Sequence, residues 1–179
     1  MPIRVAFVGP AGSGKTTNAR LMQQSTGGDV LSFATPLKKM VADLLGPLEG
    51  EELRGALQEF GVLARKYDQL IWVKKLLAKV SPDRPCYIDD CRFYNEAVAL
   101  RNLDFAIVRL DAPVYVLMER RPGMTEAQRL HASEIELANI TPDFTVMTDP
   151  PIEAVFERVE NLVYSHHPEW EKRKKAVRA

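Results

Sequence analysis

Glycine occupies three of the six positions that precede Lys15 in the segment VGPAGSGKTT, residues 8–17. Small residues let a backbone curl so that successive N–H groups point inward at an anion. Lys15 can add a positive charge, and the Thr16 hydroxyl is suited to ligating Mg²⁺. The spacing G-x-x-x-x-G-K-[ST] therefore predicts a loop that binds the phosphates of ATP, whereas a glycine turn with an exposed lysine is the simpler alternative. The residues predicted to bind ATP here are Ala11, Gly12, Ser13, Gly14, Lys15, Thr16 and Thr17.

A second candidate is a stripe of polar side chains on the predicted helix 51–66. An apolar stripe, expected to be buried, comprises Leu53, Leu57, Phe60 and Ala64. The polar stripe beside it, at i, i+4, i+7 and i+11, comprises Arg54, Gln58, Gly61 and Arg65. Two guanidinium groups, one amide and a gap at the glycine could seat a nucleotide, since arginine binds phosphate through two parallel hydrogen bonds. A solvated helix face remains the alternative.

Two aspartates, Asp89 and Asp90, directly follow the apolar run CYI in the segment CYIDDCRFYNEA. Ligands of parallel sheets bind beyond the carboxyl ends of the strands. We therefore expect Asp89 and Asp90 to hold Mg²⁺ together with Thr16, directly or through water. Arg92 could meet a phosphate there, although it could also simply form an i, i+4 ion pair with Glu96.

Three arginines surround the Pro122-Gly123 break in the segment MERRPGMTEAQRLHASE. Arg120, Arg121 and Arg129 are predicted to belong to a lid, about 118–134, that brings positive charge over a transferring phosphoryl group. Lys15 and Arg92 complete this predicted catalytic set. A basic surface loop is the alternative. The turn Thr148-Asp149-Pro150 is expected to border the adenine.

Short apolar runs alternate with helical patterns along the chain, which predicts a parallel sheet with helices on both faces. The predicted strands are 3–8, 29–34, 85–90, 105–110 and 143–148. The predicted helices begin at Lys15 and after Pro36, span about 51–66, 69–80, 94–102 and 113–121, and resume from Pro151. The basic tail 166–179 is expected to lie at the surface.

The composition describes an ordinary globular chain of 179 residues, with 46% hydrophobic and 27% charged residues and no net charge. A whole-chain basic field for nucleic acid is therefore excluded, although the tail keeps weak contact with nucleic acid open as an idea. Sequence alone offers no membrane span and no signal peptide, so a cytoplasmic protein is expected. Cys86 and Cys91 are expected to be reduced and buried.

The combined pattern resembles the deoxynucleoside monophosphate kinases of bacteriophages. The shared blocks are GPAGSGKTT, FATPLKKMVADLLG, RGALQEFGVLARKYDQLIWVKKL, YIDDCRFYNEAVALR and HASEIELANITPDFTVMTD, in family order from about residue 3 to 160. The first block is generic to P-loop proteins. The R-x-x-x-Q-x-x-G-x-x-x-R stripe followed by W-V-K, with the D-x-R-x-x-x-E block, is more specific.

The resemblance implies a three-layer α/β P-loop fold with a five-stranded parallel sheet, an acceptor-binding helical region at about 36–80 and a lid, all in one domain, 1–165. It implies ATP and Mg²⁺ as cofactors, transfer of the γ-phosphate to a deoxynucleoside monophosphate and residence in the host cytoplasm if a phage encodes the chain. A homodimer stays open. The implied acceptor residues are Lys38, Arg54, Gln58, Arg65, Trp72, Asp90, Arg92 and Glu96.

Two other functions stay open. The chain could phosphorylate another small metabolite or a modified nucleotide, such as a 5-hydroxymethylated pyrimidine. It could also be a nucleotide-dependent regulatory module that signals to a partner. A switch GTPase is not expected, because no N-K-x-D sequence is present to read guanine.

Overall fold

A five-stranded parallel sheet forms the centre of the computed structural model, which describes residues 1–123, 136–166 and 169–170. The strands lie in the order β2-β3-β1-β4-β5. They are β1 Arg4–Val8, β2 Asp29–Leu31, β3 Cys86–Ile88, β4 Ala106–Asp111 and β5 Phe144–Met147. The predicted five-stranded parallel sheet is therefore confirmed.

The central strand β1 is the most deeply buried part of the sheet, with Val5, Ala6, Phe7 and Val8 inaccessible to solvent. It pairs in parallel with β3 on one side and β4 on the other, with Val5 opposite Tyr87 and Ala106. Its run of apolar residues follows from this position, because a parallel strand covered by helices has no solvent face. The carboxyl end of β1 therefore delivers the chain to the edge where ligands of such sheets bind.

Helices connect the strands, as the sequence pattern predicts. They are α1 Lys15–Thr26, α2 Ala34–Leu45, α3 Gly50–Tyr67, α4 Ile71–Leu77, α5 Tyr94–Arg101, α6 Val114–Arg120 and α7 Ile152–His166, with a 3₁₀ turn at Glu136–Asn139. The strand predicted at 29–34 is too long, because α2 already begins at Ala34. The Ser32 hydroxyl accepts the Ala34 N–H at 3.2 Å, which turns the chain into the helix.

The chain divides into two compact units, one formed by residues 1–30 and 81–179 and the other by residues 31–80. The first unit contains most of the sheet and the glycine-rich loop of residues 9–16, called here the phosphate loop. The second, called here the helical unit, contains α2, α3 and α4. No helix in the described part of the chain combines the length and the apolar character that crossing a membrane requires.

Helix α3 packs differently from the expectation. The predicted apolar stripe, Leu53, Leu57, Phe60 and Ala64, is only half-buried. Gly61 is instead the buried residue of α3. A Cβ at Gly61 would lie 3.3 Å from Leu37 Cδ2, so α2 fills the gap that the sequence suggested for a ligand. The prediction failed because helical spacing shows that two stripes exist, but not which one meets the neighbouring helix.

The start of the C-terminal tail is also more structured than expected. Trp170 is fully buried in the core of the first unit, and its indole N–H donates to Pro2 O at 3.1 Å. The prediction of a surface tail from residue 166 is therefore wrong at this position, because one large apolar ring outweighs the charged residues around it. Residues 171–179 lie outside the described part. Cys86 and Cys91 are free and buried, as expected.

Two adjacent glycines before β2 provide a test of close packing. Both have positive φ, +72° at Gly27 and +95° at Gly28, but a Cβ would meet open space at Gly27 and Pro85 O at 2.2 Å at Gly28. We predict that Gly27→Ala costs about 1 kcal/mol through φ alone. Gly28→Ala should cost about 2–4 kcal/mol, because it also displaces the backbone that leads into β3.

The measurement is the free energy of unfolding in urea for both variants beside the wild type. Equal losses for the two alanines would show that the contact with Pro85 is not tight.

Candidate functional site

The phosphate loop connects β1 to α1 and depends on backbone conformations that favour glycine. Gly9, Gly12 and Gly14 have φ values of +138°, +88° and +87°. Lys15 begins α1, and its side chain folds back so that Nζ donates to Gly9 O at 2.7 Å and Pro10 O at 2.8 Å. The lysine is buried, so the carbonyls of its own loop solvate the ammonium group. A positive charge is thus held in place beside the N-terminus of a helix, where anions bind.

Residues of β4 and α6 pack closely against the phosphate loop. A Cβ at Gly9 would lie 2.0 Å from Leu110 O of β4, so only glycine fits at this position. A Cβ at Gly12 would lie 3.2 Å from Arg121 Cγ and 3.7 Å from Arg120 Cβ, which places the last turn of α6 directly beside the loop. The loop conformation is therefore set by β4 and α6 as well as by its own sequence.

The Thr16 hydroxyl and the Asp89 carboxylate, two predicted metal ligands, lie together at the end of β3. They are joined by a hydrogen bond. Asp89 Oδ1 is buried without a hydrogen-bond partner among the described residues. Burial and the neighbouring Asp90 raise the pKa of Asp89, while Thr16 and Lys15 act in the opposite direction. An unpaired buried carboxylate oxygen is costly, and a cation would relieve that cost.

Glu96 has a structural role at the start of α5. It is buried, and its Oε2 accepts the backbone N–H groups of Arg92 at 3.0 Å and Phe93 at 3.1 Å. A carboxylate in this position caps a helix N-terminus. It fixes the backbone of Arg92, which is half-buried three residues beyond Asp89. Asp90, also half-buried, lies between these residues along the chain.

A cavity of about 350 Å³ opens on one side of the phosphate loop. Its lining residues are Gly12, Gly14, Thr17, Asn18, Arg120, Thr148, Pro150 and Ile152. Arg120 donates to Thr148 Oγ1 at 3.1 Å and to Thr148 O at 2.5 Å. Three of the predicted ATP-binding residues of the loop, Gly12, Gly14 and Thr17, thus line one cavity with Thr148. Asp149, exposed, follows Thr148 on the turn.

Asn18 was missed by the sequence analysis. Its side chain is buried, its Nδ2 donates to Gly14 O at 3.1 Å, and its Oδ1 has no hydrogen-bond partner among the described residues. The available signal was its spacing, since Asn18 lies four residues before the buried Met22 on α1. A polar residue on the apolar face of a helix indicates a local partner, here the carbonyl of the loop.

Two of the three arginines predicted to form a lid line different cavities. Arg120 lines the cavity just described, whereas Arg121 lines a second, mainly apolar cavity of about 370 Å³ with Pro10, Ala11 and Leu117. Arg129 lies outside the described residues, as does most of the predicted lid segment.

The predicted acceptor residues of the helical unit occupy different environments. Lys38 and Gln58 are exposed, and Arg54 pairs with Glu51 at 2.9 Å one turn away. Arg65 Nη1 lies 3.4 Å from Gly61 O. Trp72 is 2% exposed and its indole N–H donates to the same carbonyl, so its observed role is to pack α4 against α3. A side chain this buried exposes almost no surface to a ligand, so the predicted contact of Trp72 with the acceptor stays a prediction.

Comparisons with known proteins agree with this architecture. The chain is 26% identical to the "Putative deoxynucleotide monophosphate kinase" of Acanthamoeba polyphaga mimivirus, over 90% of this chain and 96% of that protein. This finding confirms the resemblance seen in the motifs. No family model matches the chain.

Solved structures share the fold. A gluconokinase from Sinorhizobium meliloti 1021 superposes with a TM-score of 0.57 and 16% identity, over 96% of this chain and 97% of its own. Shikimate kinase from Aquifex aeolicus vf5 superposes with a TM-score of 0.54 and 17% identity, over 91% and 97%. The chain therefore has the fold of the P-loop kinases.

The raised pKa of Asp89 makes a prediction about stability. A carboxylate whose pKa is higher in the folded state binds protons more tightly there, so its charged form destabilises the fold above that pKa. We predict that Asp89→Asn raises the Tm of the ligand-free protein at pH 7, because the neutral amide removes the charge that burial and Asp90 disfavour. The gain should shrink as the pH falls toward the usual aspartate range, where the wild-type carboxyl is neutral.

Thermal unfolding of both proteins between pH 4 and pH 8 is the measurement. A lower Tm for the variant at pH 7 would show that Asp89 is stabilised by its neighbours instead of strained by burial.

Proposed function

We propose that the protein is a kinase that transfers the γ-phosphoryl group of ATP to a deoxynucleoside 5′-monophosphate. The observation that carries the proposal is the constellation at the end of β1 and β3. There a buried lysine, a hydroxyl and a carboxylate with an unpaired oxygen meet at the N-terminus of a helix. This set matches what a triphosphate and its cation need. The choice of a deoxynucleotide as the acceptor is supported by the name of the mimivirus relative and by the shared motifs.

The donor nucleotide is proposed to occupy the phosphate loop with its base in the 350 Å³ cavity. The loop residues Gly12, Gly14 and Thr17 line that cavity, so a molecule bound there continues directly from the phosphate seat. Arg120, Thr148 and Pro150 line the same cavity. In this proposal the base stacks on the planar guanidinium group of Arg120.

Magnesium is proposed to bind at Thr16 and Asp89, with Asp90 as a further carboxylate. The unpaired Asp89 Oδ1 supports this site, because oxygen donors with negative charge are those that Mg²⁺ prefers. When bound, the ion would neutralise charge on the β- and γ-phosphate oxygens.

The acceptor is proposed to use polar residues of the helical unit. Lys38, Arg54 and Arg65 supply positive charge within that unit, and the Gln58 amide can meet a base. In the structure Arg54 bonds to Glu51, so an acceptor phosphate would have to compete with that exposed pair. Exposed ion pairs are weak, about 0–1 kcal/mol, and exchange with a phosphate is inexpensive.

The proposed reaction needs no general base. An oxygen of the acceptor phosphate, already anionic near neutral pH, forms a bond to the γ-phosphorus. The bond between that phosphorus and the bridging oxygen of the β-phosphate breaks, and ADP leaves with the electron pair. Lys15 would balance charge on the phosphate oxygens, and Arg92 would reduce repulsion between two anions.

Two alternatives follow from the same site. A different small acceptor, including a 5-hydroxymethylated pyrimidine nucleotide, would use the same proposed donor cavity, and one of the solved structures that share the fold is a gluconokinase. A regulatory module would bind ATP but transfer nothing.

The decisive experiment incubates the protein with Mg·ATP and each ribo- and deoxynucleoside monophosphate, and separates the products by chromatography. We expect formation of a deoxynucleoside diphosphate, and a loss of at least about 10²–10³-fold in kcat/KM for Lys15→Ala. ADP release that no acceptor stimulates would favour the regulatory module, and unchanged turnover in Lys15→Ala would remove the role of the loop.

A second prediction concerns the acceptor residues. Arg54→Ala should raise the KM for the monophosphate about tenfold or more and lower kcat, while the Kd for ATP stays within about twofold, because in this proposal the Arg54 guanidinium binds the acceptor phosphate and not ATP. Lys66→Ala is the matched control, since Lys66 is an exposed cation on the same helix. Equal effects of the two substitutions, or an equal loss of ATP affinity in Arg54→Ala, would contradict the assignment.

A further inference from the structure

We propose that Thr148 is a positioning residue for the base of the donor nucleotide, acting through the Arg120 guanidinium. The inference rests on the proposed function in taking ATP as the donor and the 350 Å³ cavity as the place of its base. It concerns the binding of the base, and leaves phosphoryl transfer itself to other residues.

Thr148 is anchored from two directions. Its backbone N–H donates to Asp111 O at 2.7 Å, which ties the residue after β5 to the end of β4. Its side chain is buried, with 4% of the residue exposed. Both features hold the hydroxyl and carbonyl oxygens in fixed positions relative to the sheet.

Arg120 uses both of these oxygens. Nη1 donates to Thr148 Oγ1 at 3.1 Å and Nη2 donates to Thr148 O at 2.5 Å, with Gly12 O a longer neighbour of Nη1 at 3.4 Å. Arg120 stands at the last position of α6, and α6 meets the phosphate loop at Gly12. One guanidinium therefore connects α6, the phosphate loop and the turn after β5.

The restraint matters because a free arginine side chain is flexible. Its rotamer freedom is worth about 2 kcal/mol, part of which a ligand must overcome when it orders the side chain. Here Thr148 orders the guanidinium before the nucleotide arrives, in the wall of the cavity that leads from the phosphate loop. A planar guanidinium held in this way offers a stacking surface for a purine or pyrimidine ring.

The Arg120–Thr148 contact also separates the two parts of the donor. The phosphates are served by the loop amides and Lys15, whereas the contact between Arg120 and Thr148 serves the base. Loss of the Thr148 hydroxyl should therefore weaken a nucleotide and leave a base-free polyphosphate unaffected. A residue important only for folding would affect both ligands alike.

The experiment measures Kd by calorimetry for Mg·ATP and for magnesium tripolyphosphate, without any acceptor. Thr148→Val keeps the shape but removes the acceptor for Nη1, and we expect about tenfold weaker ATP binding. Tripolyphosphate binding should stay within about twofold. Thr148→Ser restores the hydroxyl and should restore ATP affinity.

A double-mutant cycle keeps the test independent of the behaviour of one variant. Arg120→Lys keeps the charge but loses the fork, so Thr148→Val should cost little more once Arg120→Lys is present. If Thr148→Val does not fold, the affinities of Arg120→Lys for the two ligands decide, with selective loss of ATP expected.

Three results would overturn the inference: wild-type ATP affinity in Thr148→Val, equal loss of ATP and tripolyphosphate, or additive effects of the two substitutions. Failure of the proposed function has a different signature. A protein that phosphorylates no monophosphate, yet loses only ATP affinity in Thr148→Val, would retain this role for Thr148.

Discussion

A buried ammonium group on the first residue of α1 is the constraint on which the rest of this site depends. Lys15 can be buried because the carbonyls of Gly9 and Pro10 accept its protons. Those carbonyls point inward only because the loop adopts conformations that favour glycine and fits against Leu110. The charge thus requires the loop, the loop requires β4, and β4 requires the apolar core of the sheet. An anion that enters exchanges one set of oxygen partners for another.

Asp89 differs from Lys15 in that its buried charge is only partly compensated by hydrogen bonds. Asp89 keeps an unpaired buried oxygen, and its pKa is raised by burial and by Asp90. In the ligand-free protein this arrangement lowers the stability of the fold, so Asp89 does not serve to stabilise the structure. Buried polar atoms without partners are exceptions in folded proteins and concentrate where a ligand completes the set. Asp89 therefore has an oxygen without a partner among the described residues, whereas the Lys15 ammonium group is hydrogen-bonded by its own loop.

Local patterns could predict the phosphate loop, the alternation of strands and helices, and the pairing of Thr16 with an aspartate, because each depends on spacing or on a strand end. Interactions between distant residues could not be predicted. Arg120 meets Thr148 across 28 positions, and Trp170 reaches Pro2 across 168. Helix α3 illustrates this, because its apolar and polar stripes were both visible in the sequence. Which of the two stripes is buried depends on Leu37 and Trp72, which belong to other helices.

The pairing of β1 has a consequence for how the protein acquires its activity. Val5 lies opposite Tyr87 and Ala106, so the strand that precedes the phosphate loop has no partner in the sheet until about eighty further residues are present. Contacts so distant in sequence form slowly, because long stretches of chain must be ordered before they stabilise anything. A fragment with the complete glycine motif but without β4 would therefore lack the wall that shapes the motif. The conformation of the phosphate loop therefore depends on the assembled sheet and forms late in folding.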